Sequence, residues 1–528
     1  MINLAKRETK LMIAVHGWSA IVLGLLLYAV VLTGMMAVFA DEIGIWSAGR
    51  VQTVSAFQRP IDRSIRDLAA RTPVKYHDDI NLFEVGDHGL GAFFHRDEVA
   101  KSGEPISRGI YYQLDTADKI ISAREGTSEE VFGPRNDDAL SSFLVDTHVR
   151  LHLPNPWGLI LTGILGLAML VAAISGLLIH RHLFTNIFTL RKNVGSVLVA
   201  RDRHSVAGTW SLPFAFVLAF TGSFFSFFGT VGVPIVAMAA FGGDQQAMNE
   251  AIYGNPVKPD ATATRTGNLD RIARDPILRA GEIPTFMTIE KLGRADASVT
   301  TYHPAGEGAI VPVSLGYHGA TAAFDRIKPL IGARPSFGGS AAGMMSPLHF
   351  GNFFGVLSKA VWFGLGFAMC YVTLSGLRLW LVRRRDQQRS LDWLERATTV
   401  VGFGLPFALA LSAAAFLLSM PRGSAVFWTP AAFLIASAIA ITAGVFMRTN
   451  ARLGYFLQRI TGATLVALPF LRLVMGGPGW PMALAAGQPV IMAVDIAVGA
   501  AGCWILWQHS RISDRKLAPL PAALKRAE

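Results

Sequence analysis

Four histidines stand in two matched frames. His16 and His204 each lie 17 residues before a Thr-Gly pair, Thr33-Gly34 and Thr221-Gly222, while His148 and His349 lie 27 and 26 residues before Ser175-Gly176-Leu177 and Ser375-Gly376-Leu377. A neutral imidazole is a ligand for a metal or for the iron of a flat macrocycle. Two imidazoles facing each other across a porphyrin give six-coordinate iron, which suits electron transfer because no position stays open for oxygen. Small residues at fixed distances from each histidine would leave room for such a bulky group, since glycine removes side-chain volume. The competing metal reading fares worse, because a zinc site wants three or four close ligands and neither pair has a clear carboxylate partner within a span. The plainest reading of any one of these histidines is an interfacial side chain on a helix packed through small residues. The repetition of all four, matched by four small-residue pairs, argues for a duplicated unit with a cofactor.

The elements that must hold them are membrane helices. The chain has 528 residues, 52% hydrophobic and 16% charged, a mixture of spans and aqueous parts rather than either alone. Eight apolar segments, near 11–39, 157–180, 208–240, 353–381, 399–420, 425–447, 455–475 and 481–508, are long enough to cross a bilayer. The motif Val38-Phe39-Ala40 resembles a cleavage site, but the apolar run before it exceeds the roughly 7–15 residues of a secretory leader, so an uncleaved first helix is expected. The net charge of +11 comes from Lys and Arg at the ends of apolar segments, which fits cytoplasmic anchoring better than nucleic-acid binding. Lys6, Arg7 and Lys10, then Arg181, Arg191, Lys192, Arg201 and Arg203, then Arg383, Arg384, Arg385 and Arg389 mark cytoplasmic sides and place both termini inside. His16 and His204 then form an inner layer beside Gly176 and Gly376. His148 and His349 form an outer layer beside Gly34 and Gly222. Two groups so held would make a transmembrane electron wire.

The expected organisation is a first helix (1–40), an outer domain (41–146), a second and third helix with a cytoplasmic loop (147–240), a second outer domain (241–347), a fourth helix (348–385) and a four-helix extension (386–528). Each outer domain is expected to be a small α+β unit. The run Tyr111 to Ile121 reads as a hairpin, and Val311 to Leu315 with Ala322 to Ile331 is a weaker echo. In the extension Arg459, Arg472, Asp495 and Gln488 interrupt the apolar pattern and are expected to satisfy one another between helices. Only Cys370 and Cys503 occur, so there is no disulfide framework and no Cys-x-x-Cys-His for covalent haem. No dinucleotide fingerprint is present. His152, one turn beyond His148, is the alternative outer ligand, and His180, four residues after Gly176, is a further candidate ligand or cofactor neighbour; His182 reads as surface. His95, Arg96, Arg108, Tyr302, His303 and His318 are outer-loop residues that could line a cleft for an anionic chelate, although such residues are more often simply solvated.

His16-Gly17-Trp18, Asp146-Thr147-His148 with Arg150-Leu151, Ser175-Gly176 with His180, Arg201-Asp202-Arg203-His204 with Gly208, and Leu348-His349-Phe350-Gly351 together resemble the PepSY-associated transmembrane helix family, over about residues 10 to 385. That family includes iron-regulated inner-membrane proteins and ferric-siderophore reductases. The resemblance implies a four-helix core, PepSY-like periplasmic domains and, as in the reductase members, b-type haems on helix histidines, about two per chain. The implied activity is reduction of a periplasmic ferric siderophore or similar iron chelate. The expected electron donor is a quinol or a cytoplasmic reductant, and the expected location is the bacterial inner membrane. A periplasmic interaction or regulatory protein without redox activity is the alternative, and transport a third reading.

Overall fold

In a computed structural model the chain is described over residues 5–49, 55–85, 89–99, 105–180, 188, 190–191, 196–244, 247–248, 251–252, 258–304, 310–329 and 336–517. His182 lies outside the described residues. The chain divides into two compact units, one of residues 1–49, 136–223 and 363–528, the other of residues 50–135 and 224–362.

The first unit is helical. Its elements are α1 (Lys6–Ala37) and α2 (Ala40–Ala48), and later α5 (Ala139–Arg150), α6 (Trp157–Ile179) and most of α7 (Ser196–Phe227). The C-terminal part of α11 (Gly355–Asp386) follows, then α12 (Asp392–Ser419), α13 (Ala425–Phe446), α14 (Asn450–Val474), α15 (Trp480–Ala485) and α16 (Pro489–Leu517). The second unit holds α3 (Asp62–Arg71), α4 (Ser128–Val131), α8 (Val233–Phe241), α9 (Leu269–Ala280), α10 (Phe337–Phe350) and the sheet.

Among the described residues, seven helices are long and apolar enough to cross a membrane, and α1, bent by 53° between Ser19 and Ile21, makes an eighth if counted as one span. The protein is therefore a multi-pass membrane protein. Hydroxyls inside the spans are turned onto their own helix: Thr33 donates to Ala29 O at 2.7 Å, Ser412 to Ala408 O at 2.9 Å and Thr461 to Leu457 O at 2.7 Å. In a medium without water this satisfies a polar group that would otherwise be costly to bury. The α12 helix packs along α13 and α14, and α14 along α16, while α1 lies against α5 and α6. Buried Tyr28 on α1 donates to Gly402 O on α12 at 2.9 Å, tying the histidine-bearing part to the extension.

One apolar stretch departs from expectation. The sequence suggests a single helix over 481–508, but α15 ends at Ala485 and α16 begins only at Pro489. Gly487 sits between them at φ +72°, a conformation open to glycine, and proline at 489 cannot supply the amide needed to carry a helix through.

The sheet of the second unit is the larger surprise, because the two long segments expected to form separate domains build one sheet rather than two. Strands β1 (Asp79–Val85), β2 (Gly89–Val99), β3 (Pro105–Leu114) and β4 (Ile120–Thr127) come from the first segment. Strands β5 (Phe286–Glu290), β6 (Ser298–His303), β7 (Val313–His318) and β8 (Phe324–Lys328) come from the second. The order is β4-β3-β2-β1-β5-β6-β7-β8, antiparallel throughout. Each half is a helix followed by a meander, and each meander alone would leave its first strand as an open edge. Pairing β1 with β5, Leu82 opposite Met287 and Phe83 opposite Phe286, removes both edges at once. The helices cap each other in the same two-fold sense. Asp62 at the start of α3 accepts the Leu269 amide at 2.9 Å, and Asp270 at the start of α9 accepts the Ile61 and Asp62 amides at 2.6 and 2.9 Å. Ile65, Leu68, Ile272 and Ala273 then pack onto Ile80, Leu82, Met287 and Ile289 as one core.

The seam between the halves is acidic. Asp79 pairs in register with Glu290. Its carboxyl is pushed up to about 7, first by burial and then by the charges of Glu290, Asp97 and Asp78, with Lys291 opposing. A carboxyl raised in the folded state takes up a proton on folding, so the sheet is stabilised below pH about 7 and loses that contribution as pH rises from about 4 through 7. Hydrogen exchange on the full-length protein, corrected for intrinsic rates, should show β1 and β5 amides better protected at pH 5 than at pH 7.5. Asp79→Asn should flatten that difference.

Candidate functional site

His16 on α1 and His204 on α7 come together in the first unit, their ring centroids 6.4 Å apart and their planes at 70°. Each ring is oriented through Nδ1. His16 Nδ1 lies 2.9 Å from Ala172 O, and because a carbonyl can only accept, Nδ1 carries the proton. Ser175 Oγ, 3.2 Å from the same nitrogen, sends its own proton to Val171 O at 2.7 Å. His204 Nδ1 lies 3.0 Å from Ser375 Oγ, whose proton goes to Val372 O at 3.1 Å, so here too Nδ1 donates. In both rings Nε2 is thereby the basic nitrogen, the one able to bind a metal.

The glycines following these serines form the backing. A Cβ on Gly176 would stand 3.2 Å from His16 Cε1, and one on Gly376 would stand 3.0 Å from His204 Cε1. The Ser-Gly pairs thus do two jobs in adjacent positions: the serine turns toward Nδ1 and the glycine lets the ring lie against the helix backbone. Sequence reading found the glycines as space-makers and missed the serines as orienting groups, although both stood in the repeated motif. The carbonyls of Ala172 and Val30 left no signal in the sequence, since any residue supplies one.

His148 repeats the arrangement from α5. It is half-buried, with Nδ1 2.8 Å from Val30 O on α1, and a Cβ on Gly34 would stand 2.6 Å from its Cε1. Burial lowers the His148 pKa against the raising effect of that hydrogen bond, so the ring is neutral. Thr33, fully buried, keeps its hydroxyl on its own helix, clear of the ring. His152 is engaged differently. Leu151 and His152 adopt φ of +52° and +55°, and His152 Nε2 donates to Thr147 Oγ at 2.9 Å while its ring stacks on Phe143 at 4.6 Å. The Thr147 proton goes to Phe143 O at 2.7 Å, which fixes that direction.

His349 belongs to the second unit, near the end of α10, half-buried with Phe225 at 5.6 Å and Phe350 at 5.4 Å between ring centres. The turn after it is fixed by Gly351 at φ +66° and by Trp362 Nε1 donating to Leu348 O at 2.9 Å. Gly222 lies in α7 beside Thr221, whose hydroxyl donates to Val217 O at 2.6 Å. His180 is the C-cap of α6, its amide 3.2 Å from Gly176 O, and its ring is half-buried. Among the described residues no three or more of His, Cys, Asp and Glu converge as an ordinary metal site requires.

The outer-loop residues are mostly engaged already. Arg96 and Arg108 both reach Glu98, at 2.6 and 3.7 Å, and His318 lies 3.8 Å from Asp325. His95 is buried and stacked on Phe93 at 4.6 Å, with Nε2 3.0 Å from Asn81 Nδ2. Tyr302 packs edge-on to Phe286 across the β5–β6 pair. His303 is buried on β6.

Comparison with known proteins agrees with this architecture. An uncharacterized protein of Pseudomonas aeruginosa, PA4219, is 25% identical over 397 residues, covering 71% of this chain and 95% of that relative. The family described as PepSY-associated TM region matches residues 13–383, from just before His16 to the basic end of α11. Carrying these matched helices and their histidines, the chain belongs to the PepSY-associated transmembrane family.

Proposed function

We propose that this protein is an inner-membrane dihaem oxidoreductase that passes electrons across the membrane to a periplasmic ferric siderophore or similar iron chelate. The observation that carries the reading is the His16–His204 pair. With metal–nitrogen bonds of about 2.0 Å, and ring centres about 1 Å behind their nitrogens, two imidazoles that held one metal between them would stand about 6 Å apart centre to centre. The two rings here are 6.4 Å apart, each with Nδ1 donating and each backed by a glycine that a side chain would crowd.

When bound, b-type haem would supply one-electron transfer at iron with no open coordination position. The chain's own part is orientation. His16 and His204 would hold one haem near the basic helix ends, and His148 would hold the second. Ser375 and the Ala172 carbonyl fix the tautomers, so that the basic nitrogen is presented without a competing proton. A hard-oxygen chelate prefers ferric iron, so one electron loosens it. A quinol or a cytoplasmic reductant would supply that electron.

The test is a dithionite-reduced minus oxidised spectrum with a pyridine haemochrome count on detergent-purified protein from haem-replete cells. About two b-type haems per chain are expected, followed by oxidation of the reduced protein on adding a ferric siderophore. Absence of haem would favour a periplasmic interaction protein instead. Gly34→Leu gives a second check. Its side chain must occupy the place of the His148 ring, which a Cβ alone already approaches to 2.6 Å, so the variant should lose at least half of the haem assigned to His148 while the His16–His204 haem stays.

A further inference from the structure

A cavity of about 1050 Å³ opens in the first unit where α11 and α13 finish and α12 and α14 begin. Its charged lining is one-sided: Arg378, Arg385, Arg452 and Arg459 against the single acid Glu395. Glu395 is already taken by Arg385, and Arg459 donates to Tyr455 at 2.6 Å. Arg378 lies within a membrane-spanning helix, its guanidinium 5.5 Å from the centre of the Phe403 ring, and among the described residues it has no ion-pair partner. A cation placed inside a span without a counter-ion is costly, and such residues usually mark the binding of something anionic. The helix starts of α12 and α14 add positive potential at the same place. The rest of the wall sets an apolar stretch, Leu381, Val382, Phe403, Phe456 and Ile460, beside the uncharged polar Thr398, Thr399, Asn450 and Gln458.

We propose that this cavity binds the phosphate headgroup of an anionic phospholipid, with the arginines on the phosphodiester and the acyl chains along the apolar wall. Guanidinium suits phosphate through paired N–H donors, and basic pockets between helices at a membrane face recognise such headgroups. The apolar wall selects an amphiphile over a free phosphate. Arg378 stands two residues beyond Gly376, about 200° around α11 at 3.6 residues per turn, so the cavity faces away from the His204 side. The inference therefore stands apart from the haem reading.

The test uses the purified full-length chain, delipidated in neutral detergent and titrated with phosphatidylglycerol, phosphatidylcholine or glycerol phosphate while thermal unfolding is followed. Phosphatidylglycerol should raise the midpoint by at least about 3 °C and phosphatidylcholine should not. Arg378→Gln combined with Arg459→Gln should remove most of the rise, whereas Arg389→Gln, outside the cavity lining, should leave it intact. Native mass spectrometry of the unaltered chain gives an independent reading: one phosphatidylglycerol should be retained through a phosphatidylcholine wash. An equal rise with phosphatidylcholine, a full rise with glycerol phosphate alone, an undiminished rise in the double variant, or no retained lipid would overturn the proposal.

Discussion

His16→Ala and His204→Ala, made separately, should each lower the haem content from about two per chain to about one, and the double variant should fall no further. The two rings stand 6.4 Å apart, so His16 and His204 would hold the same haem and removing either would take away half of its hold. Effects of residues that act as a unit are strongly non-additive, and here the second substitution should cost almost nothing. His148→Ala should instead remove the other haem, and combining it with His16→Ala should leave close to none. The measurement is the pyridine haemochrome count beside the reduced spectrum of each variant. If His16→Ala and His204→Ala lowered the count additively, the pairing would be wrong even if the protein holds haem. Ser375→Ala is a subtler companion: it leaves His204 Nε2 in place but frees Nδ1, so it should shift the midpoint potential of the haem that His204 would hold rather than its occupancy.

The pairing was readable because membrane depth turns sequence distance into height. A helix rises about 1.5 Å per residue, so a glycine 18, 28 or 27 residues after one histidine, as Gly34, Gly176 and Gly376 are after His16, His148 and His349, lands beside the histidine of another helix. The contacts Gly34 with His148, Gly176 with His16 and Gly376 with His204 follow from that arithmetic. What the spacing could not give was the orientation of the rings, because it depends on carbonyls that carry no residue type. The sheet was half legible for a related reason. The β3–β4 hairpin announced itself through Tyr111 to Leu114 and the turn at Asp115 to Asp118, where Asp115 accepts the Lys119 amide. The β1–β5 seam did not, since its partners are some 200 positions apart in the chain and each strand begins or ends on an acid, Asp79 and Glu290. A joined sheet is a long-range event that local patterns do not encode.

Arg472 and Asp495 show the opposite case, where sequence anticipated mutual satisfaction and the structure supplies the partners. Both side chains are 2% exposed, with Nε to Oδ1 at 3.1 Å and Nη2 to Oδ2 at 2.6 Å. Arg472 also donates to Pro478 O at 2.9 Å, and Asp495 accepts from Trp46 at 2.8 Å and Trp480 at 2.9 Å. The four partners come from α2, α14, α15 and α16, so one carboxylate fastens the extension to the segment following the first helix. Arg459, by contrast, turns to Tyr455 on its own helix.

Asp495→Ala should therefore destabilise the protein by about 3–5 kcal/mol, because it strands a buried guanidinium and two indole N–H groups. Asp495→Asn should cost less, since its amide oxygen can still accept from one indole, yet it leaves the Arg472 charge uncompensated. Replacing both charges, Arg472→Met with Asp495→Leu, should recover a good part of the loss, but not all of it, for Trp46 and Trp480 would still lack an acceptor. Thermal unfolding in one detergent orders these variants: native, then the double replacement, then Asn, then Ala. The haem spectrum of the folded fraction should be unchanged in every one, because none of the four partners touches His16, His204 or His148. A double replacement less stable than Asp495→Ala would mean the pair is net stabilising beyond the cost of burying it, which the usual balance of desolvation and attraction does not predict.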